Sequence, residues 1–408
     1  MKPDPKLNAL AIHLHGARIG IITRLPGDQY LFAFEEAYAE DPNRPTLSLS
    51  FKGRSGGLLI AAKPIRRRLP PFFSNLLPEG HLRDYLARQA EVKAEREFFL
   101  LAALGEDLPG ALTARPVSAD GEHDSDHPER DRNDDDSALR FSLAGVQLKF
   151  SAVMEAGGLT IPVHGVGGSW IVKLPSLRFP AVPENEFVMM ELARSVGIPV
   201  PETRLVPISE IGALPSDAAR MPGNAFTIRR FDRSSDGTPI HMEDFAQVFG
   251  LFPEDKYKHS SYANIASVLW QETGQAGIDE FTRRLVFSIL IGNGDMHLKN
   301  WSLLYPDRRT ATLSPAYDFV ATAPYLPGDQ LALSFGRSKN LGEITLDQIR
   351  RFAETAELPV NPIRSVAKET VERTLSSWEK LAQKDLLPAE IRTVMDAHIR
   401  TVARSTQL

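Results

Sequence analysis

With 408 residues, 42% of them apolar and 24% charged, the chain has the balance of a globular protein and length for two or three packed subdomains, which excludes a disordered or fibrous class. No apolar run reaches the roughly 18 to 20 residues that span a bilayer, and the N-terminal MKPDPKLNALAIH lacks the basic-then-apolar layout of a signal peptide, so no membrane partner is expected. The absence of cysteine excludes disulfides, thiolate zinc sites and cysteine nucleophiles and suits a cytoplasmic location, and a net charge of −5 leaves DNA contact to a local patch or a partner protein.

In chain order, ARIGIITRL and QYLFAFEEAY alternate in polarity around Pro-Gly-Asp, which predicts two strands and a tight turn. LSLSF reads as a further strand, and Arg66-Arg67-Arg68 as a solvated surface turn. PFFSNLLPEGHLRDYLARQAEVKAEREFFLLAALG carries apolar residues at helical spacing, punctuated by Pro78 and Gly80. These elements predict an α+β module over residues 1–116. Residues 117–138 are acid-rich and almost free of apolar side chains, which predicts a flexible linker and outweighs a metal reading of its His and Asp content.

Beyond the linker, RFSLAGVQLKFSAVM, LTIPV, SWIVKLP, TRLVPI and FTIRRFDR predict an antiparallel sheet over 139–240, with one helix, ENEFVMMELARSVG, inserted. HGVGGS at 164–169 reads as a hairpin tip. From 241 to 408 the pattern is helical, through ANIASVLWQETG, IDEFTRRLVFSILIG and Thr345 to Thr406.

The chemistry concentrates in GNGDMHLKN, 292–300, directly after a run that reads as a buried helix. Asp295 and Asn300 lie five apart, and Asp318 follows in AYDF. A carboxylate on a rigid helix end can take a hydroxyl proton, while an amide oxygen and a later carboxylate can ligate a hard cation that also bridges nucleotide phosphates. Ordinary turn chemistry also explains Asn-Gly and an isolated Asp.

Lys173 stands inside an apolar strand, so its ammonium calls for an anion or an escape to water. At an effective dielectric of about 20, an anion about 4 Å away supplies roughly 4 kcal/mol. Glu186, in the first turn of the ENEF helix, is a partner for Lys173 or merely a favourable charge on the helix dipole. Gly145 marks a turn where backbone amides can approach phosphate, and Arg229 to Phe231 is where a chain crossing between lobes would meet an adenine edge.

SLAGVQLKF, IVKLP, ENEF, RFDR, GNGDMHLKN and AYDF, in this order, together with FFSNLLPEG near the front, resemble the HipA family of toxin serine/threonine kinases over nearly the whole chain. The resemblance implies a two-lobed protein-kinase-like α+β fold: a small N-terminal subdomain, a β-rich ATP-binding lobe and an all-helical C-terminal lobe. It makes Asp295 the catalytic base, and Asn300 and Asp318 the Mg²⁺ ligands. Lys173, Lys299, Arg229, Phe231 and the loop Ala144, Gly145, Val146 and Gln147 become ATP-binding residues, with Glu186 pairing Lys173. Ser142 matches a serine that such kinases autophosphorylate to inactivate themselves; as an isolated residue it is an ordinary strand hydroxyl.

The implied partners are a helix-turn-helix antitoxin, through which DNA is met only indirectly, and a protein substrate, an aminoacyl-tRNA synthetase. Eukaryotic-type HRD, DFG and G-x-G-x-x-G motifs are missing, and Leu148 precedes Lys149 where the family's loop often has an acid. Two other functions stay open: a small-molecule kinase of the aminoglycoside type, and a catalytically silent corepressor scaffold.

Overall fold

The computed structural model of the chain describes residues 4–53, 56–60, 63–117, 149–155, 158–161 and 168–406. The acidic segment 118–138, the loop with Ser142, Ala144, Gly145, Val146 and Gln147, and most of HGVGGS lie outside the described residues.

The N-terminal subdomain is an antiparallel sheet of β1 (Ala9–Leu14), β2 (Ala17–Leu25), β3 (Gln29–Phe34), β4 (Ile65–Arg66) and β5 (Leu112–Pro116), in the order β4-β3-β2-β1-β5. Gly27 and Asp28 both take positive φ in the β2–β3 turn, as its right-handed twist requires. Alternate residues Leu10, Ile12, Leu14, Ile22 and Phe32 point to one face and bury against Phe72, Phe73, Phe98 and Leu101.

The long helical run expected after residue 70 is three helices, Pro71–Ser74, Gly80–Gln89 and Glu97–Leu104. It is interrupted around Pro78 and again at Glu91, which has φ +53. LSLSF is not a strand: Leu49–Phe51 form a 3₁₀ turn because the backbone N–H of Ser50 donates to Ser48 Oγ and that of Leu49 to Glu243 Oε1 at 3.0 Å. Its polar backbone is thereby satisfied across a lobe boundary rather than along a sheet edge.

The middle lobe is a second antiparallel sheet, β6 (Lys149–Glu155), β7 (Gly158–Thr160), β8 (Trp170–Lys173), β9 (Thr203–Pro207) and β10 (Asn224–Arg229), ordered β7-β6-β8-β10-β9. The helix Val182–Val196 packs Val188, Met189, Leu192 and Val196 into a core shared with Phe226, Ile228 and the C-terminal lobe. Because this helix begins at Val182, Glu186 lies in its second turn rather than its first, and is fully buried.

The C-terminal lobe centres on the helix Tyr262–Leu290, kinked at Gly274, and on Leu346–Thr355, Val360–Lys380 and Ala389–Ser405. It is not all helical. β11 (His241–Asp244), β12 (Ser302–Tyr305) and β13 (Thr312–Leu313) make a small sheet, and β14 (Gln330–Phe335) and β15 (Ser338–Asn340) a hairpin. Both faces of β11 and β12 are covered, so His241 and Glu243 are buried polar residues and the period-two alternation that marks a strand is lost. Among the described residues no helix is long and apolar enough to cross a membrane.

Candidate active site

The segment 292–300 leaves a helix whose last turn, Phe287 to Ile291, is entirely buried. Gly292 reverses the chain with φ +68, and an added Cβ there would lie 2.8 Å from the Ala323 Cβ. Gly294 passes so close to the β14 approach that a Cβ would sit 2.3 Å from Asp329 Oδ2 and 2.7 Å from the Gln330 carbonyl. Two glycines therefore let a polar loop fold flat against the lobe.

Within the loop, the Asn293 side chain accepts the Asp295 N–H at 3.0 Å and donates to the Asp318 carbonyl at 3.4 Å, so a single amide ties the two acidic segments together. Asn300 Nδ2 donates to the Asp295 carbonyl at 2.8 Å, which fixes the amide so that its oxygen is the atom that could hold a cation. Trp301, 1% exposed and 4.5 Å from the Phe281 ring, plugs the loop's far end into the core.

The β8 lysine, Lys173, is buried and meets Glu186 Oε1 and Asp318 Oδ1 together. Its ammonium nitrogen lies 5.6 Å from the Phe226 ring centre. Burial pushes the Glu186 carboxyl up, to about 7, since its second oxygen has no partner among the described residues, whereas Lys149 and Lys173 hold Asp318 well below the usual carboxylate range in spite of burial. Lys149 Nζ stands 3.9 Å from Asp318 Oδ2 with its side chain nearly half exposed, so it adds field without a close contact. Asp318 itself takes φ +61, a backbone conformation uncommon outside glycine, Asn and Asp.

Asp295 is held differently. Its Oδ1 accepts the Tyr257 hydroxyl at 2.7 Å. Burial raises its pKa, the Tyr257 hydrogen bond lowers it, and the Asp318 charge raises it again; the net shift is upward. Asp295 and Asp318 thus form a pair of carboxyls driven in opposite directions, the one suited to receive a proton and the other to stay charged. An amide oxygen on Asn300 and the Asp318 carboxylate suit a hard cation that takes its remaining ligands from phosphate and water. Among the described residues no trio of His, Asp and Glu side chains forms a closed metal cage.

The lobe crossing departs from expectation. The backbone N–H groups of Arg229 and Arg230 already donate to Glu202 and Ser169 carbonyls, at 2.9 and 2.8 Å. Phe231 packs its ring on Tyr317 of AYDF at 5.2 Å, which leaves Phe231 as the crossing residue beside the site. The remainder of RFDR faces the N-terminal subdomain: Arg230 forks onto Asp232 at 2.9 and 2.8 Å, and Asp107 and the Gly110 N–H complete the cluster.

Lys299 also points elsewhere than a nucleotide. Its ammonium meets Glu79 Oε1 at 2.8 Å and the Asn75 carbonyl at 3.1 Å, both in FFSNLLPEG. Neither Glu79 nor Tyr257 was singled out from sequence. The available signal was FFSNLLPEG, whose apolar half explains a helix start and whose Asn75 closes that helix on the Pro71 carbonyl, while Glu79 makes no side-chain cap on the helix it precedes. His297, 5.0 Å from the Tyr257 ring, is a further residue passed over; burial, and then the Lys256 charge, lower its pKa to about 3, so it is neutral.

Residues 10–115 match the family model for the HipA N-terminal domain, and residues 141–378 that for the HipA-like C-terminal domain. A Sinorhizobium fredii protein named "Putative kinase Y4dM" is 51% identical over 98% of each chain. The "Serine/threonine-protein kinase toxin HipA" of Shewanella oneidensis is 25% identical, over 87% of this chain and 85% of its own. The solved complex of Shewanella oneidensis MR-1 HipA, HipB and operator DNA matches with a TM-score of 0.74 at 21% identity, covering 96% of this chain and 97% of that one. At that identity the match speaks to fold alone, a two-lobed kinase-like architecture.

Proposed function

This chain belongs to the HipA family, and from that premise we propose that it is an ATP- and Mg²⁺-dependent protein serine/threonine kinase acting as the toxin of a toxin–antitoxin pair. The observation that carries the reading is the meeting of Asp318 with the strand lysine Lys173, on the far side of the Asn293 amide from Asp295. Asp295 takes the proton of an acceptor hydroxyl as its oxygen attacks the γ-phosphorus and ADP leaves. A magnesium ion held by Asn300 and Asp318 would neutralise phosphate charge there. Lys173, kept upright by Glu186, offers its ammonium to the phosphate oxygens, and Phe231 borders the adenine end.

The partners belong to the same proposal. The relative solved with HipB and operator DNA supports a DNA-binding helix-turn-helix antitoxin for this chain, and a net charge of −5 agrees with DNA being met through that partner. An aminoacyl-tRNA synthetase is the proposed substrate. Autophosphorylation at Ser142 is the proposed off-switch, because a dianion beside the nucleotide phosphates would repel them.

Incubating a cell extract with the protein and γ-labelled ATP, followed by mass spectrometry, tests this. Label on a protein hydroxyl is expected. Label only on a metabolite would replace the reading with a small-molecule kinase, and no label with no Mg-ATP binding by calorimetry would leave a silent scaffold.

A further inference from the structure

The two motifs FFSNLLPEG and GNGDMHLKN, separated by most of the chain, meet at a single carboxylate. Glu79 Oε1 lies 2.8 Å from Lys299 Nζ and Glu79 Oε2 lies 2.8 Å from Lys256 Nζ. Both lysines are mostly buried, with side chains 15% and 20% exposed. Each is next in sequence to a residue that builds the site. Lys299 precedes Asn300. Lys256 precedes Tyr257, whose hydroxyl holds Asp295 at 2.7 Å, and the Lys256 carbonyl accepts the Leu298 N–H at 3.2 Å.

Burial would raise the Glu79 carboxyl, but the two ammoniums more than reverse this and hold it at about 2, so it is charged whenever the protein works near neutrality. Docking of the N-terminal subdomain does not rest on this contact alone. Lys52 pairs with Glu272 at 2.8 Å, and Asn75 donates to the Leu251 carbonyl at 2.8 Å, elsewhere on the same interface. Glu79 is distinguished by where its two partners lead.

We propose that Glu79 is a positioning residue for phosphoryl transfer: through Lys256 and Lys299 it holds Asp295 and Asn300 in register, so that the N-terminal subdomain completes an active site it does not touch. The proposal deepens the kinase reading and rests on it. A displacement of about 1 Å among reacting groups lowers a rate by about a hundredfold, so a bridge of this kind acts on turnover more than on nucleotide affinity.

The test compares the full chain with Glu79→Gln, Lys299→Met, their double variant and Lys52→Ala, measuring steady-state transfer from Mg-ATP and amide hydrogen exchange over residues 293–300. Glu79→Gln is expected to lower kcat by roughly tenfold or more with the KM for ATP within about twofold. It also speeds exchange in the loop. The double variant is no slower than its slower parent, since both changes cut one bridge, and Lys52→Ala matches the unaltered chain. Parental kcat with unchanged exchange in Glu79→Gln, or an equal loss in Lys52→Ala, overturns the proposal. If the unaltered chain transfers no phosphate, the kinase reading fails, and exchange alone decides the bridge: unchanged protection in Glu79→Gln refutes it, and faster exchange sustains it.

Discussion

Asp295, exposed at the cleft surface, and Asp318, partly buried, are carboxyls of one site, and their neighbours decide what each can do. Asp318 faces Lys173 and Lys149 and stays ionised; Asp295 faces a phenol and the Asp318 charge and binds its proton more tightly than a free aspartate. As the proposed base, Asp295 works deprotonated, so activity falls as pH drops through its raised pKa. Tyr257→Phe removes the hydrogen bond that lowers that pKa. The acidic limb of the kcat/KM profile is therefore expected to move to higher pH in this variant. A limb that stays in place, or moves down, would show that the phenol does not tune Asp295.

At the scale of elements, the loop 292–300 is shaped by two glycines: a Cβ at Gly292 would press on Ala323 and His398, and one at Gly294 on the β14 approach. Gly294→Ala drives a methyl into Asp329 and the Gln330 carbonyl. It is expected to cut phosphate transfer by about tenfold or more through displacement of Asp295, while thermal unfolding shifts by only a few degrees. Transfer at the parental rate would mean that the loop tolerates the shift.

This loop was legible in the sequence because its chemistry is local: the proposed base and the proposed ligand are five residues apart and follow a helix with a recognisable apolar period. Lys173 was legible as a charge inside an apolar strand. The partners of Lys299 and Asp295 were not, because Glu79 and Tyr257 sit in segments that look like an ordinary helix start and an ordinary polar turn. LSLSF misled for a related reason. Its alternation is real, but the Glu243 carboxylate, distant in sequence, offers its backbone better partners than a sheet edge. Strands β11 and β12 were hidden by buried polar side chains that interrupt the period.

Across the whole molecule, the N-terminal subdomain is joined to the kinase-like lobes by buried charge. Asp232, 4% exposed, satisfies Arg230 and Arg233 while accepting the Gly110 N–H at 2.9 Å. Asp232→Ala leaves the Arg230 and Arg233 guanidiniums sharing Asp107 alone and is expected to destabilise the fold by about 3 kcal/mol, read as a lower denaturant midpoint. A loss under about 1 kcal/mol would assign the cluster to solvent-screened surface.

The Glu79 bridge gives this interface a pH dependence of definite sign. Its folded carboxyl titrates at about 2 against an ordinary 4.5, so its contribution is complete above 4.5 and is lost as pH falls towards 2. In Glu79→Gln the acid-induced loss of stability across that window should be smaller than in the unaltered chain. An identical acid profile would show that the bridge carries no linkage.

Transfer of label from γ-labelled Mg-ATP to protein, measured side by side for the full chain and for Asp295→Ala at matched folding, tests the central claim most directly. Label in the unaltered chain and none above background in Asp295→Ala is the predicted result, because the substitution removes the base while leaving the core that surrounds the loop unchanged. Equal labelling of the two proteins would contradict it.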